Sequence, residues 1–204
     1  MKKIPHFSAD EIFAFGIQKT ISALKTITRT DNSPIPREHI PLGEGEDFLL
    51  MPAVSSTGLG IKLVTVMAEN PNLGLPLVHG FYLYCDKKTG VPKATFDGSA
   101  LTTLRTPAAS AVATEILASK NVETLGIFGT GVQARGHIEA MLSVRPSIKK
   151  ILICGRSPDS SNEFIETLGI EGYEIYTGSP EEKASCNLIC ACTSSKTAVI
   201  PTES

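Results

Sequence analysis

Apolar positions at helical spacing open the chain. Phe13, Ile17, Ile21, Leu24 and Ile27 recur three or four residues apart and mark one face of a helix. Ser8-Ala9-Asp10-Glu11 just ahead of them has the spacing of a capping box. Asn32-Ser33-Pro34-Ile35-Pro36 ends the helix and begins a loop. The pattern then turns to β. Residues 48–51, 60–67, 80–85 and 91–96 read as strands, and Asp86-Lys87-Lys88-Thr89-Gly90 reads as a hairpin turn. Thr106-Pro107 predicts a helix start, with Thr as cap and Pro in the first turn. The alanines at 108, 109, 111, 113 and 118 permit close packing of that helix.

After residue 120 the rhythm changes. Residues 124–128, 150–154, 173–176 and 188–192 read as short apolar strands. Helical stretches at 132–143, 162–168 and 180–184 separate them. Alternating units of this length predict a parallel α/β sheet. The expected fold class is therefore α/β: an N-terminal α+β domain over 1–120, then a Rossmann-type parallel sheet over 121–204. The run Leu188-Ile189-Cys190-Ala191-Cys192 is apolar throughout, as in a strand covered on both faces. In the order 3-2-1-4-5-6 it would be central, so the sheet reads as incomplete and the chain as C-terminally truncated.

Composition narrows the class. The 204 residues carry 19 basic and 21 acidic side chains, and 42% are hydrophobic. That excludes a disordered chain and argues against a dedicated nucleic-acid-binding or polybasic membrane protein. No apolar run reaches the roughly 20 residues that span a bilayer. The basic N-terminus lacks a following apolar segment, so no signal peptide is expected. Cys85, Cys154, Cys186, Cys190 and Cys192 are odd in number and mostly lie in apolar runs. They read as reduced thiols of a cytoplasmic protein, and no metal site is expected.

Chemistry concentrates at Gly129-Thr130-Gly131-Val132-Gln133-Ala134. This Gly-x-Gly-x-x-Ala run follows a strand and opens a helix, the context that gives the motif meaning. Gly129 allows the tight turn. Gly131 lets a diphosphate approach the backbone, and Ala134 lets helix and strand pack closely. The second strand of an NAD-binding unit usually ends near an acid that binds the ribose 2′-hydroxyl. Here Cys154-Gly155-Arg156-Ser157 offers an arginine instead, which suits a 2′-phosphate. NADP(H) is favoured, with NAD(H) as the alternative.

Three basic residues stand out in the first domain. Lys62 shares a strand face with Val64 and Val66, as either a snorkelling edge residue or a pocket residue. Arg105 stands just ahead of the expected helix start, which would help it hold an anion. Arg37 lies in a loop.

The runs Gly60-Ile61-Lys62-Leu63-Val64-Thr65-Val66, Asn70-Pro71, Gly74-Leu75-Pro76, Leu101-Thr102-Thr103-Leu104-Arg105-Thr106 and Gly126 to Gly136 resemble the ornithine cyclodeaminase/μ-crystallin family. The likeness runs along almost the whole chain. It implies that Arg37 and Arg105 hold a substrate carboxylate and that Lys62 contacts the substrate as the catalytic residue. It implies cofactor contacts at Gln133 and Thr193, and a homodimer formed through the N-terminal domain. At Leu77 some cyclodeaminases carry a cofactor-contacting threonine. Family members also continue past position 204 with a loop bearing the cyclodeaminase aspartate. The expected activity is an NAD(P)-dependent reductase acting on the C–N bond of a small amino or imino acid. The alternatives are an ornithine cyclodeaminase, a μ-crystallin-like NADPH-binding protein and a non-functional fragment.

Overall fold

The computed structural model describes residues 3–28, 35–56, 58–179, 182, 185–195 and 197–200. Residues 32–34 of the expected loop, and all but residue 182 of the helix expected at 180–184, lie outside them. The chain divides into two compact units. One holds residues 1–19 and 25–104, the other residues 20–24 and 105–204.

The first unit is built on a six-stranded sheet. Its strands are β1 (His6–Phe7), β2 (Glu38–Gly43), β3 (Glu46–Val54), β4 (Gly58–Met67), β5 (Val78–Asp86) and β6 (Pro92–Asp97), in the order β1-β6-β5-β4-β3-β2. Neighbours are antiparallel except β1, which runs parallel to β6. Gly90 closes the β5–β6 hairpin at φ 70°, and Asp86 Oδ1 accepts hydrogen bonds from the Lys88 and Thr89 amides. Those bonds hold the Asp86 carboxyl below the ordinary aspartate range. Strand β2 carries no alternating pattern and contains Pro41. It is exposed throughout and occupies an edge, where a missing N–H does least harm.

The sheet has two dissimilar faces. Val64 and Ala94, on the face that carries Lys62, are buried. Phe48, Leu50, Ile61, Leu63, Phe81 and Leu83 share the other face, and none of them is buried. Phe81 remains 42% exposed although β5 is an interior strand.

The first helical stretch is two helices, not one. Ser8 caps α1 (Ala9–Phe13) through the expected box, with Glu11 Oε2 accepting from the Ser8 amide at 2.8 Å. Gly16 then adopts φ 79°, which breaks the helix before α2 (Ile17–Thr28). Ile12, Ile17 and Ile21 are buried, whereas Phe13 and Ile27 are exposed.

Helix α3 (Gly98–Leu117) begins eight residues before the expected start at Thr106. Its cap is Asp97, whose Oδ1 accepts from the Ala100 amide at 2.8 Å. Gly98 sits against Gly80, and a Cβ on Gly98 would lie 2.5 Å from the Phe81 amide nitrogen. Pro107 falls inside the helix and is fully buried. A proline there costs about 3 kcal/mol in an isolated helix. Burial of Ala108, Ala111 and Val112 around it offsets that cost.

The second unit carries a parallel sheet of β7 (Thr124–Phe128), β8 (Lys150–Cys154), β9 (Glu174–Thr177) and β10 (Leu188–Ala191), in the order β10-β7-β8-β9. Helices α4 (Val132–Val144) and α5 (Pro158–Leu168) connect its first three strands. Leu125, Ile127, Ile138, Met141, Ile151 and Ile153 are fully buried and form its core.

Two arginines close helix ends in this unit. Arg135 donates to Leu168 O at 3.2 Å and to Thr167 Oγ1 at 2.9 Å, at the end of α5. Arg145 is 5% exposed and donates to the carbonyls of Thr114, Ala118 and Ser119 at the end of α3, and to that of Val144. These are carbonyls that a helix end leaves without internal donors. Arg145→Met should therefore destabilise the protein by about 3 kcal/mol in urea unfolding, with little recovery in Arg145→Lys, whose single ammonium cannot fork between them.

Candidate functional site

Three strand ends converge in the second unit. Strand β7 lies between β8 and β10, so the connections on its two sides run in opposite directions across the sheet. At its end the Gly129 amide donates to Cys154 O, and the Cys192 amide donates to Phe128 O, both at 2.7 Å. Gly129–Gln133, Arg156–Ser157 and Thr193 follow directly from these three strands. The structure thus gathers the sequence positions read for a dinucleotide at one edge of one sheet. Open α/β sheets bind ligands at such a reversal.

The two glycines of the turn differ in kind. Gly129 has φ 121°, and a Cβ there would collide with the Cys192 carbonyl. Glycine is required at this position by the protein's own backbone. Gly131 caps α4 with φ −94° and ψ −173°, a conformation open to any residue. A Cβ on Gly131 would meet nothing within 4 Å. That bare backbone beside the α4 N-terminus is the cradle an anionic diphosphate needs. Ala134 is fully buried between helix and sheet.

Val132 is exposed and Gln133 half-buried in the first turn of α4. Thr130 packs toward the second strand end, because a Cβ on Gly155 would lie 2.9 Å from Thr130 Cγ2. The Gly155 amide donates to Ser161 Oγ at 2.7 Å, which pins the backbone just before Arg156. Arg156 is exposed. Ser157 caps α5, its Oγ accepting from the Ser160 amide at 3.2 Å. Thr193 is exposed beyond β10, and its Oγ1 accepts from the Ser195 amide at 3.1 Å.

In the first unit the pairing register aligns another set. Met51 pairs with Lys62, Lys62 with Tyr82, and Tyr82 with Phe96. The pairing of Glu38 with Leu50 sets Arg37, one residue before β2, level with Met51. Arg37 and Lys62 thus stand in one row, two strands or about 10 Å apart, within reach of one small anion.

Lys62 is half-buried on an interior strand, so it is not a snorkelling edge residue. Its Nζ donates to Thr102 Oγ1 at 3.0 Å, and Thr102 Oγ1 donates to Gly98 O at 2.8 Å. Thr102 and Tyr82 were not legible as neighbours of Lys62. The signal for Tyr82 is the pairing register, which the sequence alone does not state. Burial pushes the Tyr82 phenol above its ordinary range, so it stays protonated at neutral pH. Arg105 is exposed within α3 and belongs to the second unit. It does not precede a helix start, because α3 begins at Gly98.

A glycine turn at the reversal point of a parallel sheet makes the second unit a Rossmann-type α/β structure, joined here to a mainly antiparallel sheet. The chain belongs to the ornithine cyclodeaminase/mu-crystallin family, whose family model matches residues 18–203. It is 36% identical over 187 residues to a Delta(1)-pyrroline-2-carboxylate reductase of Bacillus cereus, covering 89% of this chain and 55% of that one. It superposes on the Thermococcus litoralis Delta(1)-pyrroline-2-carboxylate reductase in complex with NADH and L-proline with a TM-score of 0.83. That match has 30% identity and covers 92% of this chain and 61% of that one. An archaeal alanine dehydrogenase dimer with bound NAD gives a TM-score of 0.86 at 25% identity, covering 93% and 60%. The chain therefore spans a little over half the length of these proteins.

Among the described residues no group of three or more His, Cys, Asp or Glu side chains could hold a metal ion, none of the five cysteines is in a disulfide, and no helix is long and apolar enough to cross a membrane. The two glycines give opposite expectations. Gly129→Ala should destabilise the protein by about 3 kcal/mol or more, since it meets both a positive φ and a carbonyl. Gly131→Ala should stay within about 1 kcal/mol of wild type, the usual range for a cap position. Thermal melts of the two variants check this.

Proposed function

We propose that this chain is the part of an imino-acid reductase that holds a nicotinamide dinucleotide and a small amino or imino acid. The observation that carries the reading is Gly131, a bare backbone at the α4 N-terminus where three parallel strand ends meet. The likeness to pyrroline-2-carboxylate reductases supports the substrate class.

A bound nicotinamide supplies the hydride. In this reading Gly129–Gln133 and Thr193 line the dinucleotide, with the first N–H groups of α4 facing its diphosphate. Arg156 and the Ser157 turn face the adenosine ribose. Arg156 would pair with a 2′-phosphate, so NADP(H) is preferred over NAD(H). The division of labour is that of residues 1–120 for substrate and pairing, and 121–204 for cofactor.

Arg37 supplies a guanidinium fork for the substrate carboxylate. Lys62, held by Thr102, donates a hydrogen bond or proton to the substrate nitrogen or carboxylate. Family resemblance assigns Arg105 to carboxylate binding as well.

The open face bearing Phe48, Leu50, Leu63 and Phe81 is too apolar to stay in water, and in this reading a second copy of the chain covers it. The dimeric archaeal alanine dehydrogenase supports that assembly. Placement in the cytoplasm fits cysteines that form no disulfide. Burial pushes Cys190 up to about 12 and Cys192 up to about 11, which keeps both protonated and slow to oxidise.

Fluorescence titration with NADPH and NADH tests the cofactor assignment. NADPH should bind more tightly, and Arg156→Ala should weaken NADPH by about tenfold while leaving NADH nearly unchanged. Equal loss for both cofactors would remove the 2′-phosphate role. Imino-acid reduction is then followed by NADPH oxidation, and Lys62→Met should lower the rate by about 100-fold. Saturable cofactor binding without turnover of any imino acid would leave a binding protein in place of a reductase. For the assembly, Phe81→Asp should convert a dimer to a monomer in analytical ultracentrifugation, and a wild-type monomer would refute it.

A further inference from the structure

Two tyrosines of β5 lie in gaps that glycines leave on β4. A Cβ on Gly60 would collide with the Tyr82 hydroxyl, and one on Gly58 would collide with the Tyr84 ring. Pairing puts Tyr82 opposite Lys62 and Tyr84 opposite Gly60. Each ring therefore slants across β4 to the glycine two residues before its own partner. A glycine inside a strand weakens it and marks a close approach by another group. Here the approaching groups are the tyrosine rings. The Tyr82 ring also meets that of Phe96 on β6, with 5.9 Å between centroids. It is held from two sides, with its hydroxyl over the Gly60 backbone.

The Gly60 gap bears on what stands beside Lys62. Met51, Lys62, Tyr82 and Phe96 form one row from β3 to β6, all half-buried, with Arg37 level at its end. The row offers two cations and three largely hydrocarbon side chains, and it contains no acid. On the same face Asp47 lies four residues before Met51 and Asp86 four residues after Tyr82, each about 13 Å along its strand. Both carboxyls are engaged, Asp47 by His39 and Asp86 by the amides of its hairpin. A second positive charge on a substrate would find no counter-charge in this row. A hydrocarbon side chain would find Met51 and the Tyr82 ring.

We propose that Tyr82 is a specificity-determining residue of the substrate site: its ring, seated over Gly60 beside Lys62, is the wall against which the carbon skeleton of the imino acid lies, and it sets how large that skeleton can be. The inference rests on the proposed imino-acid reading. It adds to that reading the wall residue and the requirement for a side chain without a second charge. Gly60 acts as a positioning residue, because its missing side chain keeps the ring slanted away from Lys62.

The test compares NADPH-dependent reduction of a five-membered cyclic imino acid, Delta(1)-pyrroline-2-carboxylate, with that of its six-membered homologue. Tyr82→Ala should shift the ratio of kcat/KM toward the six-membered acid by about tenfold, the discrimination that one methylene brings in an apolar pocket. Tyr82→Phe keeps the ring and should keep the ratio within about twofold. Gly60→Ala should push the ring toward Lys62 and lower kcat/KM for both acids by about tenfold, and adding Tyr82→Ala should recover most of that loss, because nothing then collides. L-Ornithine should inhibit more weakly than L-proline, and equal inhibition would overturn the exclusion of a second charge. An unchanged ratio in Tyr82→Ala overturns the wall. So does an equal loss for both acids in that variant, which is the mark of a merely structural role. A shift in Tyr82→Phe as large as in Tyr82→Ala would transfer the role to the hydroxyl and also overturn it. If the wild-type chain reduces neither acid, the reductase reading fails. The melting-temperature shifts produced by L-proline and by its six-membered homologue then measure the same preference, and wild-type shifts in Tyr82→Ala overturn the wall separately. No shift by either amino acid in the wild type overturns both readings together.

Discussion

The close approach of the Cys192 carbonyl to Gly129 governs the second unit. Strands β10, β7 and β8 can be drawn together at their C-terminal ends only if the residue leaving β7 has no side chain and tolerates φ 121°. Once that turn is made, the Gly129 amide is satisfied by Cys154 O, and the Cys192 amide by Phe128 O. The chain then re-enters as α4, with its first N–H groups and the open side of Gly131 at the sheet edge. A larger residue at Gly129 would separate β7 from β10 and dissolve this geometry. The protein's own packing thus demands one glycine of the motif, while the other faces open space.

Helix α3 supplies the complementary constraint. It starts where Gly98 lies against Gly80, with Asp97 capping it, and its second turn holds the Lys62 ammonium through Thr102. Farther along, its hydroxyls meet α4, and at its end Arg145 gathers the carbonyls of Thr114, Ala118 and Ser119. One helix therefore carries contacts to the Lys62 ammonium and to α4. Its uneven composition follows from this. Small residues occur where other elements approach closely, and hydroxyls occur where a buried polar contact must be met without charge. Pro107 persists because the buried flank of the helix holds its course in place of one backbone bond.

Much of the parallel sheet was legible because its signals are local. A buried strand reads as an apolar run, a Gly-x-Gly-x-x-Ala turn lies within one βα unit, and Ser8 and Glu11 form a box four residues long. The failures occurred where local signals competed. Thr106-Pro107 looks like a helix start, yet Asp97 caps the same helix earlier and burial carries it through the proline. Gly16 interrupts an apolar stripe that otherwise reads as one helix. Strand β2, exposed and holding Pro41, has no alternation to detect, and it forms because Leu49 and its neighbours on β3 offer an open edge.

The sequence by itself determined the α/β class, the glycine turn, the family and the candidate residues Arg37, Lys62, Arg105 and Arg156, because each is written in neighbouring residues. Tertiary structure alone decided that Lys62 stands on an interior strand in a row with Met51 and Tyr82. It also decided that Gly129 answers to a carbonyl 63 residues away. Strand register and helix packing join residues far apart in the chain, and such pairings depend on shape and burial that no local pattern records.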